Sequence, residues 1–133
     1  SVRCDRGDGM GIERLKARSD IELVVMSKEK NKVVQSRCDK LQLECYHAVD
    51  DKPSALQKLA SEKGFDLNEI AFVGNDMNDV VCMGMVGLGI SPKDAYPCAI
   101  EAADLVLTRN GGDGAVRMLC DMIINKMKNE KNG

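Results

Sequence analysis

The sequence predicts an α/β domain on a mostly parallel sheet with helices on both faces. Two observations carry this. Short apolar runs alternate with amphipathic segments along all 133 residues. No linker, internal repeat or low-complexity stretch interrupts them, so a single domain over 1–133 is expected.

The elements follow in order. Residues 21–26 (IELVVM) are one apolar run, a buried strand. Residues 30–41 carry Val34, Cys38 and Leu41 at helical spacing, and 45–49 form a second, weaker strand. Asp51-Lys52-Pro53 then marks a helix start, with Pro in the first turn. Leu56, Leu59 and Ala60 give that helix its apolar face, and Gly64 ends it. Residues 70–73 (IAFV) are a third strand closed by Gly74, followed by a short helix through Val80, Val81 and Met83. Residues 86–90 are a fourth strand and 105–107 a short fifth. Val116, Leu119, Cys120, Ile123, Ile124 and Met127 form one stripe of a last helix, which frays into a solvated tail over 126–133.

Composition excludes several functions. Net charge is −2, no basic stripe exists, and the aromatics are only Phe65, Phe72, Tyr46 and Tyr96. Nucleic-acid stacking is a poor fit. No apolar run is long enough to span a bilayer, so no membrane partner is expected. The six cysteines show no CxxC spacing, and one histidine cannot complete a zinc cluster. They are read as reduced structural thiols of a cytoplasmic protein.

Three polar motifs each follow a strand, at the sheet edge where open α/β sheets bind ligands. Ser27, in Met26-Ser27-Lys28-Glu29-Lys30, sets a hydroxyl beside a helix start, which suits a phosphate oxygen or, more simply, a helix cap. Lys52 follows Asp50-Asp51 at a helix start and could neutralise a phosphate or be a surface lysine. Gly74-Asn75-Asp76-Met77-Asn78-Asp79 gathers oxygen ligands that suit Mg²⁺, or else caps the next helix through Asn78 or Asp79.

Hydroxyl, lysine and acidic loop in that order resemble the second, third and fourth motifs of the haloacid dehalogenase superfamily. Arg6-Gly7-Asp8-Gly9-Met10-Gly11-Ile12, Val86-Gly87-Leu88, Asp94-Ala95-Tyr96-Pro97 and Gly111-Gly112-Asp113-Gly114-Ala115-Val116-Arg117 extend the likeness. The set looks like the capless phosphatases acting on 3-deoxy-manno-octulosonate 8-phosphate and nonulosonate 9-phosphates. It looks most like the version fused behind acylneuraminate cytidylyltransferase, where Gly-Asn replaces Gly-Asp in the fourth motif.

The resemblance implies a Rossmann-like three-layer sandwich and a set of roles. Ser27 would hydrogen-bond the transferring phosphoryl group, and Lys52 would stabilise nucleophile and phosphate. Asn75, with Asp76 or Asp79, would hold Mg²⁺ directly or through water. Glu29 stands where nonulosonate enzymes favour Glu and octulosonate enzymes Arg. Arg6, Asp8 and Gly9 would border the substrate, and the 111–114 loop would lie near a subunit interface or the active-site edge. A homotetramer and a fused or associated cytidylyltransferase domain are implied as partners.

The family's first motif, an apolar strand ending in Asp-x-Asp, is not found in these residues. Asp5-Arg6-Gly7-Asp8-Gly9 has the wrong spacing and no strand before it. The sheet is therefore expected to lack its first, central strand. A fragment of a longer protein is the favoured explanation, against a strand supplied by a partner chain or a sheet closed without it. Two functions compete: a Mg²⁺-dependent sugar-acid phosphatase, and a non-catalytic oligomerisation module of a sialic-acid-activating enzyme. A phosphoacceptor receiver domain fits poorly, because Asp50-Asp51 and Asp76 fall in the wrong order for it.

Overall fold

A computed structural model describes residues 6–18, 20–30, 32–111 and 114–132, with the side chains of 6–10 and 130–132 outside that description. The helices are α1 (Arg6–Lys16), α2 (Val33–Leu41), α3 (Lys52–Lys63), α4 (Val80–Met85), α5 (Pro97–Ala102) and α6 (Ala115–Asn132). The strands are β1 (Val24–Met26), β2 (Glu44–Tyr46), β3 (Ala71–Val73), β4 (Leu88–Ser91) and β5 (Leu105–Val106).

Among the described residues every strand pairing is parallel, as expected, and the strands fall into two sheets, β1-β2 and β3-β4-β5. The chain forms two compact units, Ser1–Ala48 with Gly111–Gly133, and Val49–Asn110.

In the first unit, α1 and α6 bury Ile12, Leu15, Cys120 and Ile124, with Ile21, Leu23, Leu41 and Leu43 packed against them. Each such aliphatic side chain contributes roughly 1.5–3 kcal/mol on full burial. A Cβ on Gly11 would meet Arg117 Cδ at 2.9 Å and Cα at 3.0 Å, so the bare glycine allows α1 and α6 this close approach. Arg14 Nη1 (2.8 Å) and Arg117 Nε (3.1 Å) both reach Asp121. Lys16 Nζ donates to the carbonyls of Leu41 and Gln42, both at 2.8 Å, and so closes the C-terminus of α2.

Two expectations fail in this unit. The second helix begins at Val33, not Lys30, because the preceding peptide groups are used elsewhere. Glu29 N–H donates to Ser27 Oγ (3.1 Å), and Glu29 C=O accepts from Ala48 N–H (2.9 Å). Nor is the polar 126–132 stretch a frayed tail: α6 runs to Asn132.

In the second unit, Pro53 lies in the first turn of α3 and Gly64 ends it at φ +74°, as expected, and Asp51 caps it by accepting from Ser54 N–H. Leu56, Cys82 and Val86 form one core cluster with Leu67, Ile70 and Phe72. Met83, Ala95 and Ala99 form another, against Phe72 and Ile100. The central strand β4 is the most buried. Among the described residues, no helix is long and apolar enough to cross a membrane.

Candidate functional site

The acidic loop begins where β3 ends. Gly74 N–H continues the ladder to Ile90 C=O (2.9 Å), and the chain then turns through a 3-10 segment, Met77–Asp79, into α4. A Cβ on Gly74 would lie 2.5 Å from Asp79 Cβ and 2.8 Å from Met83 Sδ. Only glycine lets the Asp79 side chain fold back beneath the loop.

Asp79 is 3% exposed and its two oxygens are committed. Oδ2 accepts from the N–H groups of Asn75 (3.0 Å) and Asp76 (3.2 Å). Oδ1 accepts from Lys52 Nζ at 2.7 Å. Lys52, the first residue of α3, is itself 9% exposed. A lone buried ammonium or carboxylate would be costly, so each makes the other tolerable. Asp79 thus does not cap α4 with its side chain. Asp76 takes the cap position and Asp79 answers it, a reciprocal capping box.

The neighbouring groups complete the picture. Asp76 Oδ1 accepts from Met77 N–H at 2.6 Å. Asn75 is exposed, and its carbonyl accepts from Tyr96 N–H (2.9 Å), which ties this loop to the one after β4. Asp51 accepts from Ser54 N–H (3.2 Å) and Ser54 Oγ (2.8 Å). Those two donors, the backbone one first, hold its carboxyl below the ordinary 3.8. Cys82 is fully buried in α4. Burial first, then the charge of Asp79, pushes its thiol up, against the opposing pull of Lys52.

The structure therefore joins Lys52, Asn75, Asp76 and Asp79, but gives Asp79 first to Lys52 and the loop amides. Among the described residues, no group of three or more His, Cys, Asp or Glu forms a metal cluster. Asp76 with the Asn75 amide still fits Mg²⁺, which commonly takes one or two carboxylates and completes its shell with water and substrate phosphate.

In the first unit, Ser27 is buried and holds Glu29 through its hydroxyl; it caps no helix. Arg6, Asp8 and Gly9 lie on the backbone of α1, and their side chains fall outside the described residues, as do Gly112 and Asp113 of the 111–114 loop. Two residues given no site role from the sequence matter locally. Tyr96, named from the sequence only within Asp94-Ala95-Tyr96-Pro97, joins two loops through its amide just before Pro97 opens a helix. Ser91 ends β4 with a buried hydroxyl that finds no partner among the described residues, and nothing in its apolar context marked it.

The second unit thus sets a buried lysine–carboxylate pair under an acidic loop that follows a parallel strand. The family model for haloacid dehalogenase-like hydrolases matches residues 16–119, and the chain belongs to that family. Its fold is of the corresponding Rossmann type.

Particular relatives sharpen this. The chain is 36% identical over 118 residues to the 3-deoxy-D-manno-octulosonate 8-phosphate phosphatase of Escherichia coli (strain K12), covering 88% of this chain and 62% of that protein. It thus spans less than two thirds of that relative's length. The Moraxella catarrhalis enzyme of the same name, solved with magnesium, phosphate and KDO, superposes with a TM-score of 0.84 at 31% identity, covering 90% of this chain and 68% of that one. The Yersinia pestis enzyme gives the same TM-score of 0.84 and 31% identity, over 90% of this chain and 65% of that one.

Proposed function

We propose that this chain belongs to a Mg²⁺-dependent phosphatase of a sugar-acid phosphate, a nonulosonate 9-phosphate or 3-deoxy-manno-octulosonate 8-phosphate. The observation that carries the reading is the buried Lys52–Asp79 pair beneath the acidic loop. An ammonium fixed at one place can stabilise negative charge growing on phosphoryl oxygens with little reorganisation. Asp79 is the positioning residue for it.

Asn75 and Asp76, with Asp79 behind them, would hold Mg²⁺. The ion supplies Lewis-acid stabilisation of the phosphoryl oxygens when bound. Neutral Asn75 in place of a carboxylate lowers the charge available to it. Ser27 is assigned to a phosphoryl oxygen, and Arg6, Asp8 and Gly9 to the substrate border. Glu29 favours a nonulosonate, and with it a place in sialic acid metabolism.

The test is phosphate release with Mg²⁺ from both sugar-acid phosphates against an unrelated phosphomonoester. Selective release should fall about 10²- to 10³-fold in Lys52→Ala, the usual scale for one lost charge-stabilising donor. Turnover indifferent to Lys52 would sink the reading.

A second reading rests on Asn75, a neutral residue in the acidic loop. It is a non-catalytic module that assembles a cytidylyltransferase into a homotetramer. No release from either substrate, together with a tetramer by light scattering, would favour it.

A further inference from the structure

We infer that His47 is a second contact for the phosphoryl group, beside Ser27. This rests on the assignment of Ser27 proposed above, and deepens it.

The pairing of β1 with β2 does not stop where the strands end. The register sets Met26 opposite Tyr46. Ser27 N–H then donates to Tyr46 C=O (2.9 Å), and Ala48 N–H donates to Glu29 C=O (2.9 Å). His47 lies between these two bonds, so its backbone is held on both sides. Ala48 follows it at φ +56°, a left-handed conformation that costs an alanine energy and turns the chain sharply. The result is a fixed histidine at the carboxyl edge of a parallel pair, where such sheets take ligands.

The side chains agree. His47 is exposed, and its imidazole has no hydrogen bond or ion pair among the described residues. Its neighbours are occupied: Tyr46 Oη donates to Glu44 Oε1 (2.6 Å), and Ser27 Oγ accepts from Glu29 N–H (3.1 Å). Ser27 still has its hydroxyl proton to donate, and imidazole has an N–H. Paired strands lie about 4.8 Å apart, so the two side chains can donate to different oxygens of one phosphate. Lys28 and Lys30 flank Glu29 in sequence and offset its charge.

The experiment uses the 133-residue chain, in which His47 is the only histidine and gives a single imidazole Hε1 resonance. Inorganic phosphate is titrated in with Mg²⁺ present, following that resonance and the Ser27 amide. Both should move saturably with one apparent Kd. Ser27→Ala should raise the Kd read at His47 about tenfold, the equivalent of one charge-assisted hydrogen bond. If the Ser27 amide moves and His47 does not, the inference is overturned while the Ser27 assignment stands. If neither moves, the Ser27 assignment falls and takes the inference with it. A His47 response unchanged in Ser27→Ala also overturns it, since phosphate would then meet His47 without Ser27.

Discussion

Lys52 Nζ and Asp79 Oδ1 meet at 2.7 Å, both largely out of water, with Asp79's other oxygen holding two loop amides. One carboxylate thus fixes both the lysine and the path of the chain above it.

Breaking that pair from one side should be expensive. Lys52→Met leaves Asp79 buried without its cation, and a loss of about 3–5 kcal/mol is expected in urea unfolding. Adding Asp79→Asn should recover part of it, because the amide oxygen can still serve the loop N–H groups. Strictly additive losses in the double-mutant cycle would show that the two groups are not coupled.

Gly74→Ala should act on the same carboxylate from below. A methyl group there lies 2.5 Å from Asp79 Cβ, so Asp79 or β3 must move. A loss of roughly 1–3 kcal/mol is expected for overpacking of this kind. The amides of Asn75 and Asp76 should exchange faster with solvent, and unchanged protection would refute the role given to Gly74.

These relationships differ in how far they could be read from residue order. The start and stop of α3 were legible because Asp51, Pro53 and Gly64 act locally. The acidic loop and Lys52 were legible as residue types after strands. Their contact was not, since Lys52 and Asp79 are 27 residues apart and nothing local ties them. Helix α1 was hidden because Gly7, Gly9 and Gly11 are poor helix formers. Ile12 and Leu15 hold it by packing on α6, a tertiary cause. Its partner α6 carries helix through Lys126 and Lys128, where charge suggested a loose end. The division of the strands into two sheets had no sign in the apolar pattern, which reports burial and not neighbours.

The cap of α3 gives a pH dependence of known sign. The Asp51 carboxyl is held below its ordinary 3.8 by the Ser54 amide and then the Ser54 hydroxyl. Its contribution is therefore present above the unfolded value and lost as pH falls through the lower folded one. Asp51→Ala should lower the urea midpoint at neutral pH, and wild type and variant should converge in strong acid. A constant gap down to the lowest pH would contradict this.

Thiol chemistry offers an independent check on packing. Cys38, Cys82 and Cys120 are buried, while Cys45 and Cys98 are partly exposed. Burial raises the Cys82 thiol further, with Asp79 adding to it. Brief alkylation of the native protein should label Cys45 and Cys98 before Cys38, Cys82 and Cys120, read by peptide mass mapping. Because the folded Cys82 value is raised, its contribution to stability is complete below the unfolded value of about 8.5. It is lost as pH rises through the folded one. Early labelling at Cys82 would contradict its burial.

The arrangement of the two units also bears on the order of events in folding. Val49–Asn110 is one continuous stretch, whereas the other unit joins the two ends of the chain. Its Arg14–Asp121 contact spans 107 residues of sequence. Closing so long a loop costs entropy before any contact repays it. The middle segment is therefore expected to acquire protected amides first, and α1 and α6 to become protected together and later. Pulsed hydrogen exchange during refolding would show simultaneous protection throughout if that order is wrong.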